Sequence, residues 1–135
     1  MSFAIPYVGE VLMLRYILNN VSSDNARLHL YQNNVVPAPS DTLGTYSEVT
    51  TPGYASASLT GTLWTVATLS GTTTATYPAQ TFTFSTSVVA YGVYYTNNGS
   101  TQLLWAERFE PQPFSIPATG GQIQINPALS LGQCS

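Results

Sequence analysis

The sequence predicts a mainly β protein, either an antiparallel β-sandwich or a jelly-roll-like domain, with an N-terminal helix or arm. Two observations predict this class. About seven or eight short alternating segments follow one another, with turn residues at intervals of roughly 8–12 positions, as in antiparallel sandwiches and barrels. The strongest hairpin pattern, at 88–109, is apolar on both faces, so we expect it to be covered on both sides.

Length and composition favour one folded domain. A chain of 135 residues can bury roughly 70% of the surface that its unfolded form exposes, so it needs neither a disulfide nor a metal to fold. Apolar residues make up 44% of the chain, which argues against disorder. We expect a helix or arm at 1–21, a sandwich at 22–130 and a polar tail at 131–135.

Charge is unusually scarce. Only 7% of the residues are charged, against about 25% in typical soluble domains. Such a surface repels its own copies weakly, which favours an assembly component over a freely diffusing enzyme. The net charge of −3 and the lack of lysine argue against sequence-independent nucleic-acid binding.

Membrane, disulfide and metal signals are missing from the sequence. No apolar run approaches the roughly 18–20 residues of a membrane span, and no basic segment opens a signal peptide. We therefore expect a soluble protein, made in the cytoplasm without a cleaved leader. Cys134 is the only cysteine and His29 the only histidine, so we expect no internal disulfide, no metal site and no cofactor.

Residues 6–19 carry the helix signal, although alternation there also fits a strand. Pro6 suits a first helical turn and Glu10 its positive end. The apolar positions that fall on one helical stripe are Val11, Leu14, Leu18 and Val21. Other apolar residues spread beyond this stripe, so the helix should be covered on more than one side. We expect it to close the end of the sandwich, or alternatively to serve as a subunit-contact arm.

Strand patterns then follow in order. Residues 26–32 alternate, with Leu28 and Leu30 on one face and His29 on the other. Threonine-rich strands are predicted at 55–69 and 72–84, separated by a Ser70-Gly71 turn, and a last strand at 122–126. We expect His29 to lie on a surface face of its strand.

The hairpin at 88–109 is predicted to turn within 97–100, in a loop of two or four residues, where Asn98 and Gly99 can supply positive φ. The predicted partners are Tyr94 with Leu103, Gly92 with Trp105, and Ala90 with Glu107. In this register the glycine leaves room for the indole across the ladder.

Catalytic signals are weak. A serine triad would have to use His29, and no G-x-S-x-G motif surrounds a serine. Glu107 and Glu110 point to opposite faces of an extended segment, so they cannot form a glycosidase pair locally. Glu107 and Arg108 also point apart, so each needs a partner elsewhere in the chain or across an interface. We expect no enzymatic activity and assign no catalytic residue.

Two stretches carry a resemblance to a known group of proteins. LHLYQNNVVPAPSDTLGTYSEVTTPGYA (Leu28–Ala55) and VYYTNNGSTQLLWAERF (Val93–Phe109) resemble small virion proteins of tailed bacteriophages, and the similarity extends over most of the chain. The resemblance implies a phage particle component. Within that group we favour a capsid decoration or cement protein, which would be a homotrimer, bind the major capsid protein and lie on the capsid surface of the virion.

Contact with copies of itself and with the shell should use apolar and extended surface. The segments 33–46 and 110–121 are candidate contact arms, because their prolines reduce the entropy lost on docking. The candidate interface residues are Val11, Leu14, Leu18, Pro37, Pro39, Arg108, Pro111 and Pro113.

Two alternatives remain open. A tail-fibre or receptor-binding module could hold bacterial surface glycan on Tyr94, Tyr95 and Trp105 if these aromatic side chains share an exposed groove. A small hydrolase domain would need convergent acids or a partner for His29.

Overall fold

The computed structural model describes residues 3–110 and 113–132. As predicted, the fold is mainly β and antiparallel, sandwich-like, with one N-terminal helix, α1 (Tyr7–Ile17). The strands within the described ranges are β1 (Phe3–Ala4), β2 (Ala26–Tyr31), β3 (Ala57–Leu59), β4 (Thr65–Leu69), β5 (Thr72–Thr76), β6 (Gln80–Phe84), β7 (Val88–Ala90), β8 (Gly92–Asn97), β9 (Leu103–Arg108), β10 (Phe114–Ile116), β11 (Gly121–Ile125) and β12 (Ala128–Gly132). Strand β12 therefore extends into the predicted tail.

A five-stranded antiparallel sheet in the order β1-β9-β8-β2-β3 forms the centre of the fold. Strands β6 and β11 pair with each other, as do β7 and β10, and a three-stranded sheet has the order β12-β5-β4. The main core joins one face of the central sheet to the two strand pairs. Its members include Leu28, Leu30, Val93, Tyr95, Leu104 and Trp105 from the central sheet and Phe82, Phe84, Val88, Ile116, Ile123 and Ile125 from the strand pairs.

The opposite face of the central sheet carries a second apolar cluster. Its buried members are Tyr31, Tyr46, Tyr94, Leu103 and Ala106, with Val35 and Leu43 packed against them. Because Val35, Leu43 and Tyr46 come from the 33–46 segment, this segment covers the sheet face over part of its length. The prediction that the central hairpin is apolar and covered on both sides is confirmed.

The predicted register of that hairpin is wrong. Tyr95 pairs with Trp105, Val93 with Glu107, and Gly92 with Arg108. A bulge follows Tyr95, and Leu104 is the extra residue that it accommodates. Relative to β8, β9 is shifted by three residues from the predicted register. Because side chains alternate along a strand, Trp105 lies on the face of Tyr95 and not on that of Gly92.

The first arm of the hairpin is also interrupted. Between Ala90 and Gly92 the chain leaves the central sheet, and β7 pairs with β10 instead, so that Ala90 lies opposite Phe114 rather than Glu107. At the turn, Ser100 adopts the positive φ of 57°, not Asn98 or Gly99. The side chain of Asn97 organises this turn by accepting hydrogen bonds from the backbone N–H groups of Thr101 and Gln102.

Helix α1 forms where it was predicted, but it packs by another face than the predicted stripe. Gly9 and Leu12 are buried against the central sheet, where Gly9 meets the carbonyl of Leu104 so closely that a Cβ would overlap it. Val11 and Leu14 lie on the exposed side. The chain's own sheet thus covers α1 on one side only.

The threonine-rich region contains more elements than the two predicted strands. β3 and β4 replace the first, and β5 and β6 replace the second. The turn at Ser70-Gly71 is confirmed, with both residues at positive φ (52° and 82°), which is the backbone of a tight hairpin turn. All five residues of β4 are exposed.

Candidate functional site

His29 lies inside the protein, which contradicts the prediction of a surface histidine. Its side chain is 3% exposed. Nδ1 lies 2.7 Å from Oε2 of Glu48, and Nε2 lies 2.9 Å from Oγ1 of Thr96. Strand β2 supplies His29 and β8 supplies Thr96, while a single bridge between Tyr31 and Glu48 brings the carboxylate alongside.

Two tyrosines complete this polar cluster, which is buried at His29, Thr96 and Tyr94 and partly exposed at Glu48 and Tyr54. The hydroxyl of Tyr54 donates to Oε2 of Glu48 at 2.7 Å and accepts from the backbone N–H of Leu30. The ring of Tyr94 stacks on the imidazole of His29, with 4.6 Å between centroids. Each polar atom of the histidine ring therefore has a partner, as burial requires.

Burial sets the direction of the pKa shifts in the cluster. Desolvation lowers the pKa of His29, and the hydrogen bond to Glu48 opposes this shift without reversing it. Desolvation also raises the pKa of Tyr54, and the hydrogen bond to Glu48 adds to the increase. A neutral His29 donates from Nδ1 to the carboxylate of Glu48, because a carboxylate can only accept. The hydroxyl of Thr96, which lies beside Nε2, donates its own hydrogen to the carbonyl of Asn97 at 2.8 Å.

A carboxylate, an imidazole and a hydroxyl in this order have the connectivity of a catalytic triad. The hydroxyl closest to His29 belongs to Thr96, which is fully buried at 0% exposure and so cannot meet a substrate. Ser100 is exposed, and its Oγ lies 3.5 Å from Nε2 of His29, at the limit of a hydrogen bond.

The turn around Ser100 does not resemble an oxyanion hole. The backbone N–H groups of Thr101 and Gln102 both donate to Oδ1 of Asn97. The N–H of Ser100 itself donates to the carbonyl of Asn97. Donors already used inside the turn cannot stabilise a developing oxyanion. The cluster holds β2, β8 and the 48–54 loop together.

Sequence reasoning missed Glu48. It lies nineteen residues from His29, in a stretch without a strong periodic pattern, so nothing local to the sequence links the two. A weak signal was available: the chain has six acidic residues and one histidine. A buried histidine in so weakly charged a chain would be expected to bond to one of the few acids.

The aromatic side chains considered for glycan binding are buried. Tyr94 belongs to the second cluster, whereas Tyr95 and Trp105 belong to the main core and stack on each other at 4.2 Å. They therefore lie on two faces of the central sheet and share no exposed groove. The indole N–H of Trp105 is buried and has no hydrogen-bond partner within 3–110 and 113–132.

Arg108, a candidate interface residue, is buried. Its guanidinium donates to the carbonyl of Val35 at 2.8 Å and to Oδ1 of Asn34 at 2.6 Å. It also lies 5.3 Å from the ring centroid of Tyr91, within the range of a cation–π contact. Arg108 thus anchors the 33–36 segment to β9 and offers a partner little accessible surface.

The other candidate interface residues occupy different environments. Val11 and Leu14 are exposed on α1, and Leu18 is exposed at its C-cap. Pro39 and Pro113 are exposed, and Pro37 is half-buried. Pro111 lies outside the described residues. The structure places the three helix positions together and leaves the prolines at separate points of the surface.

Two apolar surfaces are open to solvent. The first, on α1, comprises Tyr7, Val8, Val11, Leu14, Ile17 and Leu18. A groove of about 440 Å³ adjoins it, between the helix and the segments at 42–44 and 101–103. The second surface is the β12-β5-β4 sheet, where Val66 and Leu131 are exposed on one face and Leu69 on the other. Exposed apolar patches of this kind mark interaction sites in soluble proteins.

The described residues contain neither a metal-binding cluster nor a membrane-spanning helix. Within 3–110 and 113–132, no group of three or more His, Cys, Asp and Glu side chains is placed to hold a metal ion. No helix in the same ranges has the length and apolar character to cross a bilayer. Comparisons with protein-family models, curated proteins and solved structures found no match.

Proposed function

We propose that this protein is a non-enzymatic component of a bacteriophage particle: a capsid decoration or cement protein that binds the shell formed by the major capsid protein. The resemblance of 28–55 and 93–109 to small virion proteins suggests the particle. The proposed location is the outer surface of the capsid.

The observation that carries the proposal is the open edge of the three-stranded sheet. Strand β4 is at its edge, and no other described strand pairs with the outer side of β4. All of its residues are exposed, and Val66 and Leu69 are among the most exposed apolar side chains of the chain. An unpaired edge of this kind is a template for strand addition by another protein.

The remaining surface suits a docking role. Neighbours of Val66 on the sheet are mainly threonine and alanine, and the chain as a whole is 7% charged. A partner that covers this sheet therefore desolvates few ions, which are the most costly groups to bury. Backbone hydrogen bonds along β4 would fix the register, and the apolar side chains would add buried area.

The proposed mechanism is stabilisation by selective binding. A protein that binds the expanded shell, and not the unexpanded one, stabilises the expanded state by its difference in affinity for the two. No chemical step is required. The buried positions of Tyr94, Tyr95 and Trp105 favour this role over the tail-fibre alternative, because glycan stacking needs exposed aromatic faces.

The test is sedimentation of the protein with expanded shells assembled from the major capsid protein of the same phage genome. Val66→Glu places a charge on the β4 surface at a side chain that is 66% exposed, so folding should be unaffected. Val89→Glu is the matched control, because Val89 is 43% exposed on a different strand pair. We expect Val66→Glu to weaken shell binding at least tenfold and Val89→Glu to leave it unchanged. Equal binding by both variants would contradict a role for β4.

A further inference from the structure

The exposed side of α1 carries a regular apolar stripe. Tyr7, Val11, Leu14 and Leu18 are separated by four, three and four residues, and between 50% and 73% of each side chain is exposed. This spacing matches the a and d positions of a coiled coil over the length of α1 and its C-cap residue Leu18, and such a seam packs against the same seam of another helix. The sheet side of α1 is occupied by Gly9 and Leu12, so the seam points away from the chain's own core.

Two further apolar side chains widen this surface. Val8 and Ile17 lie on either flank of the seam and are 42% and 77% exposed. Together with the seam residues they form an exposed apolar patch, and such patches mark interaction sites. The groove at Val8 and Val11, beside Leu43 and Leu103, extends the same surface.

The charges of α1 select the direction of packing. Glu10 and Arg15 are exposed on opposite flanks of the seam. When two such helices run parallel, the Glu10 flank of one faces the Arg15 flank of the other, five positions further along, which is the usual salt-bridge spacing of parallel coiled coils. An antiparallel pair would instead bring the two Glu10 flanks together and the two Arg15 flanks together.

We infer that a second copy of this chain covers the exposed face of α1, with the helices parallel about a rotation axis. Every copy carries both the Glu10 flank and the Arg15 flank. The same face can therefore form a two-fold dimer or a three-fold trimer. This assembly is separate from shell binding through β4 and does not depend on it. The helix is held on one side by its own sheet and on the other by its copies.

The first test is the native mass of the purified chain, measured by light scattering over a dilution series. Leu14→Glu introduces a charge in the seam, and Leu131→Glu is its control, since the two leucines are 57% and 58% exposed. We expect an oligomer for the wild type and for Leu131→Glu, and at least a tenfold higher dissociation constant for Leu14→Glu. A monomeric wild type, or an equal loss in both variants, overturns the inference.

The second test determines direction. Glu10→Arg should weaken the oligomer several-fold, and the double variant Glu10→Arg with Arg15→Glu should restore it, because the flanks again carry opposite charges. In a Cys134→Ser background, Leu18→Cys should form disulfide-linked dimers, since equal positions of parallel helices lie close to each other. Cross-linking only in a mixture of Tyr7→Cys and Leu18→Cys would show antiparallel packing and overturn the inference. If the oligomer forms but shells are not bound, the shell proposal alone fails.

Discussion

Nδ1 of the buried His29 lies 2.7 Å from Oε2 of Glu48, whose side chain remains 36% exposed. This contact fastens β2 to a loop that has almost no regular secondary structure of its own. Because Tyr54 donates to the same carboxylate oxygen, one acidic side chain orders both ends of the 48–54 loop. The contact is therefore a structural element of the fold, and it makes stability depend on pH.

The first prediction concerns that pH dependence. The pKa of His29 is lowered in the folded state, so the unfolded chain takes up a proton more readily as the pH falls through the ordinary histidine value of about 6.5. The free energy of unfolding contributed by His29 is thus present above that pH and lost below it, by up to about 1.4 kcal/mol per pH unit. Urea unfolding at pH 7 and pH 5 measures the loss.

His29→Gln is the control for this prediction, since the chain has no other histidine. The variant should be less stable at pH 7 and should show a smaller loss between pH 7 and pH 5. Burial raises the pKa of Glu107, which gives an opposite slope in the acid range. Glu107 is present in both proteins, so the comparison removes its contribution. Parallel pH profiles for the two proteins would contradict the prediction.

The second prediction concerns the contact of α1 with β9. A Cβ on Gly9 would overlap the carbonyl of Leu104, and a backbone atom cannot move aside as a side chain can. We expect Gly9→Ala to lower the free energy of unfolding by about 1–3 kcal/mol, even though alanine favours helix by about 1 kcal/mol. Gly44→Ala is the control, since its nearest neighbour would be Oγ1 of Thr42 at 3.9 Å. A stabilising Gly9→Ala would show that the helix is not held this closely.

The third prediction concerns Arg108. Its removal leaves the carbonyl of Val35 and the amide oxygen of Asn34 without this donor, and hydrogen bonds to charged groups contribute about 1.5–3 kcal/mol. We expect Arg108→Met to destabilise the fold by about that amount. In a double-mutant cycle, Asn34→Ala should cost less in the Arg108→Met background than in the wild type. Full additivity of the two changes would contradict the contact.

The fourth prediction concerns Ser100, the exposed hydroxyl nearest His29. If the Glu48–His29 pair activated it, a fluorophosphonate probe would label Ser100, as it labels serine hydrolases. We expect no labelling, because the N–H groups around Ser100 are engaged by Asn97 and because the closer hydroxyl is that of Thr96. Mass spectrometry of the treated protein shows whether Ser100 carries the probe. A Ser100 adduct that disappears in His29→Gln would contradict the proposal of a non-enzymatic role.

Local patterns were sufficient to predict much of the fold. Alternation located β2, the helical stripe located α1, and Ser70-Gly71 located a hairpin turn, because each depends on neighbours in sequence. The register of β8 and β9 depends on a bulge at Leu104 and on the departure of the chain at Tyr91. Both are set by packing with α1 and β10, so no local pattern reveals them.

The candidate site was harder to predict than the fold. Exposure of Val11 and Leu14 follows from the fit of Gly9 on the Leu104 carbonyl, a contact between distant segments. Gly92 similarly makes room for the ring of Tyr31 rather than for Trp105. The helical spacing identified the apolar stripe. Which face of α1 packs against the sheet depends on contacts between segments that are distant in sequence.

The most direct test of the proposed function is calorimetry of expanded and unexpanded shells with and without the purified protein. We expect the protein to raise the melting temperature of expanded shells in a concentration-dependent way and to leave unexpanded shells unchanged, because selective binding stabilises only the state that is bound. Val66→Glu should reduce the shift. An unchanged melting temperature for both shells at saturating protein would contradict the proposal.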